Sequence, residues 1–539
     1  KREAMAMEGG DFPVNDAIKD FVFDMRQSCR MSLRQDEVDA LYGIKFPELS
    51  RTYYGEKDAT WPGVDAIASM AETKDRTPDE YFLCFYKEMT YRYLFQHGKP
   101  SVQDRIDAWN NYCSLFDFVI AAQDVEMVAN EQWTFDIINE FIYQFQAFCQ
   151  YRTDLTRREP EEIEVLKANP SAWAVQSVAM YLKQLIQVSN VTSILEAHRQ
   201  IQTPSQYIDV SSQTTPSKLH FDLGYFAIFG LSRLECLLGD YHACLSVLDP
   251  IDVFSGQEIY HKVFACYLNL YYHMGFAYLM MRRYKDCIRV YSMIVSPINR
   301  MAKTGALSHV TNDEGFVRKT ADKMAALLVV AMSLTPGIKV EDLVLNFSKD
   351  GYRSFADRMS QVEDGNMEGI LEKACPKFIN PAVPDYGKGL SLGFEPVRRQ
   401  VELFCKHSAH QTSLSKIRSF LMLYKAIGVE KLARFHGSSP DDFRCELLAL
   451  KHLLSQKESG PGMTPLEGEL KSALDVHFFV NDDLIQIDEA ERITRHESYF
   501  IAEIHKTSQV VKQINERAAR QAEIIAARRA QRARSQYED

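Results

Sequence analysis

This chain lacks the usual marks of disulfide, membrane and catalytic proteins. Its 11 cysteines are scattered over 539 residues with no Cys-x-x-Cys pair. That excludes a disulfide framework and a zinc ribbon, and it suits a reducing compartment, cytosolic or nuclear. Several of the cysteines, such as Cys149, Cys236, Cys266 and Cys287, fall at apolar-periodic positions and are expected to be buried thiols. Long apolar runs are missing too. The run Ala325–Met332 is far short of the roughly 20 residues that cross a bilayer. Residues 1–10 carry no apolar segment of the secretory kind, so a soluble, cytoplasmic chain is expected. Basic charge is also short: the net charge is -11, against broad nucleic-acid binding, which needs clustered Lys and Arg.

Catalytic signatures are absent as well. There is no Gly-x-x-x-x-Gly-Lys-Ser/Thr, no His-Glu-x-x-His and no Gly-x-Ser-x-Gly. The Gly-rich stretch Gly387–Gly393 has the wrong spacing for a phosphate cradle and reads as a loop. His407 and His410 are two imidazoles where a metal site needs three or four ligands. No catalytic, cofactor or metal residue is nominated, and no enzyme is expected.

What the chain has is helical periodicity and an apolar fraction of 46%, ample for two or three packed units. Trp133, Ile137, Phe141, Phe145 and Phe148 fall three or four apart and predict one wide buried stripe. Tyr81–Phe95 and Tyr112–Ala122 read as helices. The polar, Pro-bounded residues 202–217 read as a linker after an N-terminal helical region, 1–201. Next comes an internal repeat. Gly239–Leu248 resembles Arg282–Tyr291 at an offset of 43, and each copy follows a helix. Gly275, Tyr278, Tyr284, Cys287 and Tyr291 are spaced like a tetratricopeptide hairpin. Small residues at 275 and 287 let helices approach, and the tyrosines fill the gaps. Residues 218–400 are therefore expected to be helical-repeat, though the period is long for strict tetratricopeptides. Cys375–Pro384 reads as an extended, Pro-studded connector.

Residues 401–490 read as a winged helix. Leu414–Ile427 is expected to be helical, Val429–Phe435 a short helix, and Ser439-Pro440 the cap of a second helix, Asp441–Leu454. Val476–Ile487 alternates as a hairpin around Asn481, Asp482 and Asp483. A DNA reader would put bases and phosphates against the start of that second helix. Here Asp441, Asp442 and Glu446 stand against Arg444. The module is expected to dock protein instead, by adding its hairpin edge to a neighbouring sheet, and a proline at Phe479 is expected to break that contact. Residues 491–539 read as a long helix. The docking candidates are Phe479, Val480, Leu484, Ile485 and Ile487 on the hairpin and Phe500, Ile504, Val511 and Ile514 on the helix. Beyond them Arg517, Arg520, Arg528, Arg529, Arg532 and Arg534 form either a solvated helical end or an RNA or ribosome contact.

Helical repeats leading into a winged helix and a terminal helix resemble the PCI family, the scaffold subunits of the proteasome lid, the COP9 signalosome and eukaryotic translation initiation factor 3. Gly275–Tyr284, Cys375–Phe378, Ile417–Leu421, Glu467–Ala473, Tyr86–Glu88, Phe141–Phe145 and Gln150–Arg152 look like the L-subunit branch of that factor. The resemblance implies a mainly α, tetratricopeptide-like solenoid with no enzymatic activity. It implies sister PCI subunits as partners, the K subunit as neighbour, and work on the small ribosomal subunit in initiation. An RNA-binding regulator using the arginine tail, or a lid or signalosome subunit, is the alternative.

Overall fold

The computed structural model describes residues 14–30, 33–55, 60–67, 70, 79–121, 127–200, 217–253, 259–309, 313–335, 357–358, 360–362, 365–387, 395–460, 463–472, 476–489, 504, 507–508, 511 and 514. Of the expected linker 202–217 only Ser217 lies among them. The chain divides into two units, 1–417 with 441–474, and 418–440 with 475–539.

The larger unit is helical. Its helices are α1 (Asp16–Ser28), α2 (Gln35–Ala40), α3 (Phe46–Tyr54), α4 (Val64–Ile67), α5 (Glu80–His97), α6 (Val102–Ala121), α7 (Glu131–Thr153), α8 (Pro160–Ala168), α9 (Val175–Val188) and α10 (Val191–Gln200). From residue 218 on come α11 (Lys218–Leu238), α12 (Tyr241–Ser246), α13 (Phe264–Met280), α14 (Tyr284–Thr304), α15 (Glu314–Ser333) and α16 (Met367–Ala374). Neighbours in sequence pack on one another: α5 on α6, α13 on α14, α14 on α15, with α11 lying against both α7 and α9. Trp133, Ile137, Phe141, Phe145 and Phe148 are all buried, as their spacing predicts.

The repeat is real but unequal. Its first copy supplies α12, a helix of 6 residues, where the second supplies α14, of 21. The first copy leaves its helix at Ser246, shortly before the Asp249-Pro250 pair, which disfavours helix, whereas α14 continues through Pro297. Close approach within the second copy rests on Gly275. A Cβ there would stand 2.5 Å from the Tyr291 ring, which is itself fixed by a hydrogen bond from its hydroxyl to the Tyr272 carbonyl, 3.0 Å.

Polar side chains hold the irregular segments. The connector after α16 is tied to distant helices through its carbonyls. Tyr272 Oη donates to Ala374 O at 2.7 Å, Gln146 Nε2 to Lys377 O at 2.6 Å, and Arg152 Nη2 to Pro381 O at 2.8 Å. Under α5 lies a buried network. Arg92 meets Glu88, the Tyr42 hydroxyl and, at 3.6 Å, Asp136, while Tyr112 donates to Glu88 at 3.2 Å. Burial raises the Glu88 and Asp136 carboxyls above their usual range against the pull of Arg92, and pushes nearby Glu140 up to about 7.

A feature absent from the sequence reading closes the larger unit. Strand β2 (Ser455–Glu458) pairs antiparallel with β3 (Glu469–Ser472). They follow α19 (Pro440–Leu453); α17 and α18, with the remaining strands, are described below. The β2–β3 ribbon is clamped to the start of α14. Arg283, 2% exposed, is paired through all three guanidinium nitrogens. Nε and Nη2 reach Asp286 at 2.8 and 2.7 Å, Nη1 reaches the carbonyls of Pro465 and Leu466 at 3.0 and 2.9 Å, and Nη2 reaches Glu467 O at 2.9 Å. Asp286 in turn accepts from Ser459 N at 3.0 Å, and the Gln456 side chain accepts from Tyr284 N at 3.1 Å.

Two outcomes follow from this packing. Gly275→Ala should cost about 1–3 kcal/mol in chemical denaturation through overpacking against Tyr291, with Gly43→Ala, which meets nothing within 4 Å, as control. Asp286→Asn should cost about 3–5 kcal/mol, because it strands a buried guanidinium, and should speed proteolysis between β2 and β3. Wild-type cleavage rates would show that the clamp does not hold the ribbon.

Candidate docking surface

The smaller unit starts at the end of α17 (Glu395–Leu421) and includes β1 (Ala426–Gly428), α18 (Val429–His436), β4 (Val476–Asn481) and β5 (Leu484–Glu489). This corrects the sequence reading, which carried one helix from Leu414 through Ile427. The helix ends at Leu421, and Ile427 instead pairs with Ile485 in a strand. Backbone bonds on both flanks fix that strand: Ile487 N donates to Lys425 O at 2.9 Å and Val429 N to Asp483 O at 2.8 Å. Its three residues are too few for periodicity to reveal. With β2 and β3 set aside as an interruption between α19 and β4, the order helix, strand, helix, helix, strand, strand is that of a winged helix, with α19, β2 and β3 grouped in the larger unit.

The sheet runs β1-β5-β4, so β4 is an edge among the described residues. A two-residue loop, Asp482-Asp483, joins β4 to β5, with Asp482 at φ 48, a left-handed value that Asp tolerates. Alternation then sorts the side chains. Val476, Phe478 and Ile485 are buried on one face. Phe479, 54% exposed, and Leu484, 42% exposed, point out on the other face, on neighbouring diagonal positions. Val480, 37% exposed, sits on the inner face near the tip, and Ile487 is partly buried.

Ile485 is therefore corrected: at 0% exposure it is core, not docking surface. The direction of the edge is corrected as well. Ile487 gives its N–H to the β1 side, so alternation turns Gln486 toward β4 and makes Phe479–Gln486 a pair that exchanges both hydrogen bonds. Phe479 thus donates inward. The N–H groups of Val476 and Val480 point away from β5. A proline at Phe479 breaks the hairpin itself, whereas one at Val480 blocks the edge.

On the terminal helix, Ile504, Val511 and Ile514 are helical and at least half exposed. Phe500 and the arginines from Arg517 to Arg534 lie outside the described residues. At the start of α19, Arg444 is paired to Asp441 at 3.0 Å, and Asp441 is exposed, leaving carboxylate rather than cation at that helix end. Among the described residues no group of three or more His, Cys, Asp or Glu is placed to hold a metal, and no helix is long and apolar enough to cross a membrane.

The architecture is that of a helical-repeat protein that ends in winged-helix elements. Residues 104–507 match the family model described as RNA polymerase I-associated factor PAF67. Eukaryotic translation initiation factor 3 subunit L of Danio rerio is 35% identical over 458 residues, covering 84% of this chain and 77% of the relative. The protein of the same name from Xenopus laevis is 35% identical over 479 residues, covering 88% and 82%, and that from Homo sapiens is 34% identical over 473 residues, covering 86% and 81%. The chain belongs to the family of eukaryotic translation initiation factor 3 subunit L.

Proposed function

We propose that this chain is a non-enzymatic scaffold subunit of eukaryotic translation initiation factor 3 and supports initiation on the small ribosomal subunit in the cytoplasm. Membership in the subunit L family over most of its length carries this reading. The scaffold role draws on the winged-helix elements, whose sheet has β4 as an edge strand among the described residues and carries two outward apolar side chains, Phe479 and Leu484. An exposed edge of this kind invites another strand. Sister PCI subunits, with the K subunit as neighbour, are the proposed occupants of that edge and of the stripe Ile504, Val511 and Ile514.

Affinity purification of the tagged chain followed by native mass spectrometry tests the proposal. The wild type should carry initiation-factor subunits and small-subunit ribosomal proteins. Val480→Pro removes one open-edge donor and should lower partner recovery roughly tenfold or more while the melting curve stays put. Phe479→Pro should instead disrupt the hairpin. A wild-type sample without initiation-factor subunits overturns the function; full recovery with Val480→Pro removes the edge as the contact.

A further inference from the structure

Between α15, the helical residues 357–358 and 360–362, and α16 lies a groove of about 530 Å³ that the scaffold role leaves unused. That volume suits a small molecule rather than a buried water. Its lining mixes apolar and charged side chains, and its charges are unevenly compensated. Arg358 grips Asp322 through both carboxylate oxygens, at 2.7 and 2.8 Å, and also donates to the Asp322 carbonyl at 3.2 Å. This pins one wall of the groove to α15 and consumes both charges of that pair. Lys323, Lys373 and Asp357 are the other charged residues in the lining.

Lys323 is half-buried, with its Nζ 6.0 Å from the centre of the Tyr272 ring. No carboxylate of the described residues lies within ion-pair distance of it or of Lys373. Burial lowers its affinity for a proton, and Lys377 nearby lowers it further. A cation in a part-desolvated cleft is costly without a counter-charge, and an anion placed beside Lys323 relieves that cost. One lining carboxylate, Asp357, stands against two lining ammonium groups with Lys377 behind them. A monoanion would suffice for balance, but the size of the groove leaves room for a larger body behind the charged group.

We propose that this groove binds a small phosphate-bearing molecule, of nucleotide or sugar-phosphate size, with its phosphate between Lys323 and Lys373. Lysine ammonium groups recognise phosphate as point charges and do not demand the planar fork that arginine offers, consistent with Arg358 being spent on the wall. The site lies on the helical-repeat body and is independent of the proposed docking edge.

Isothermal titration of the full chain with pyrophosphate and with ATP, at fixed ionic strength, decides the matter. Both should bind, and Lys323→Met should weaken them roughly tenfold, the loss of one charge-assisted contact. Lys99→Met, which removes an exposed lysine elsewhere on the unit, should leave binding unchanged. A short single-stranded RNA serves as a third titrant. No binding of pyrophosphate or ATP, equal weakening by Lys323→Met and Lys99→Met, or binding of the RNA alone would each overturn the proposal. A melting curve of Lys323→Met confirms that the variant folds; Lys373→Met repeats the test from the exposed side of the groove.

Discussion

The larger unit depends on a guanidinium paired on every one of its nitrogens. Arg283 is buried at the start of α14, beside the Tyr278 ring at 4.7 Å, and each of its three guanidinium nitrogens meets an oxygen. Burying such a cation is tolerable only with full pairing. Asp286 supplies the charge, and three successive carbonyls, Pro465 to Glu467, supply the rest. Those carbonyls belong to a stretch with no regular structure of its own, so the same contacts that satisfy the arginine give that stretch its shape. The β2–β3 ribbon is thereby fixed to the repeat across more than 170 residues of sequence.

The same device recurs in weaker form. Gln146, Arg152 and Tyr272 each donate to a carbonyl of the segment between Ala374 and Pro381. That segment is rich in proline and cannot satisfy itself by forming a helix. Long polar side chains on α7 and α13 do so instead, joining the N-terminal helices to the C-terminal half of the unit. The Glu88–Arg92–Tyr42–Asp136 network does comparable work among the first helices. Residue sets such as Tyr86–Glu88, Gln150–Arg152, Cys375–Phe378 and Gly275–Tyr284, which carry the family resemblance, are thus largely sets that hold irregular backbone in place.

Helices were legible wherever an apolar stripe ran for three turns or more, as in α7 and α13, because burial of one face and local hydrogen bonding act together. The Gly275–Tyr291 contact was legible from size alone. Strands β1, β2 and β3 were not: at three or four residues they are too short for alternation to be seen, and β2–β3 is held by partners remote in sequence. At the docking surface the exposed Phe479 and Leu484 were legible, but the burial of Ile485 was not. That depends on which face of the hairpin is turned inward, and the hairpin's own alternation leaves both faces partly apolar. The direction of the Phe479 N–H needed the register of all three strands.

The central claim is that the open edge of β4 is where a partner strand is added. Residue-resolved hydrogen exchange, comparing the free chain with the chain in its purified complex, tests it most directly. The outward amides of Val476 and Val480 should exchange fast in the free chain and slow by roughly a hundredfold or more on assembly, while Phe479, already bonded to β5, should change little. Equal exchange of the two outward amides in both samples would contradict the claim.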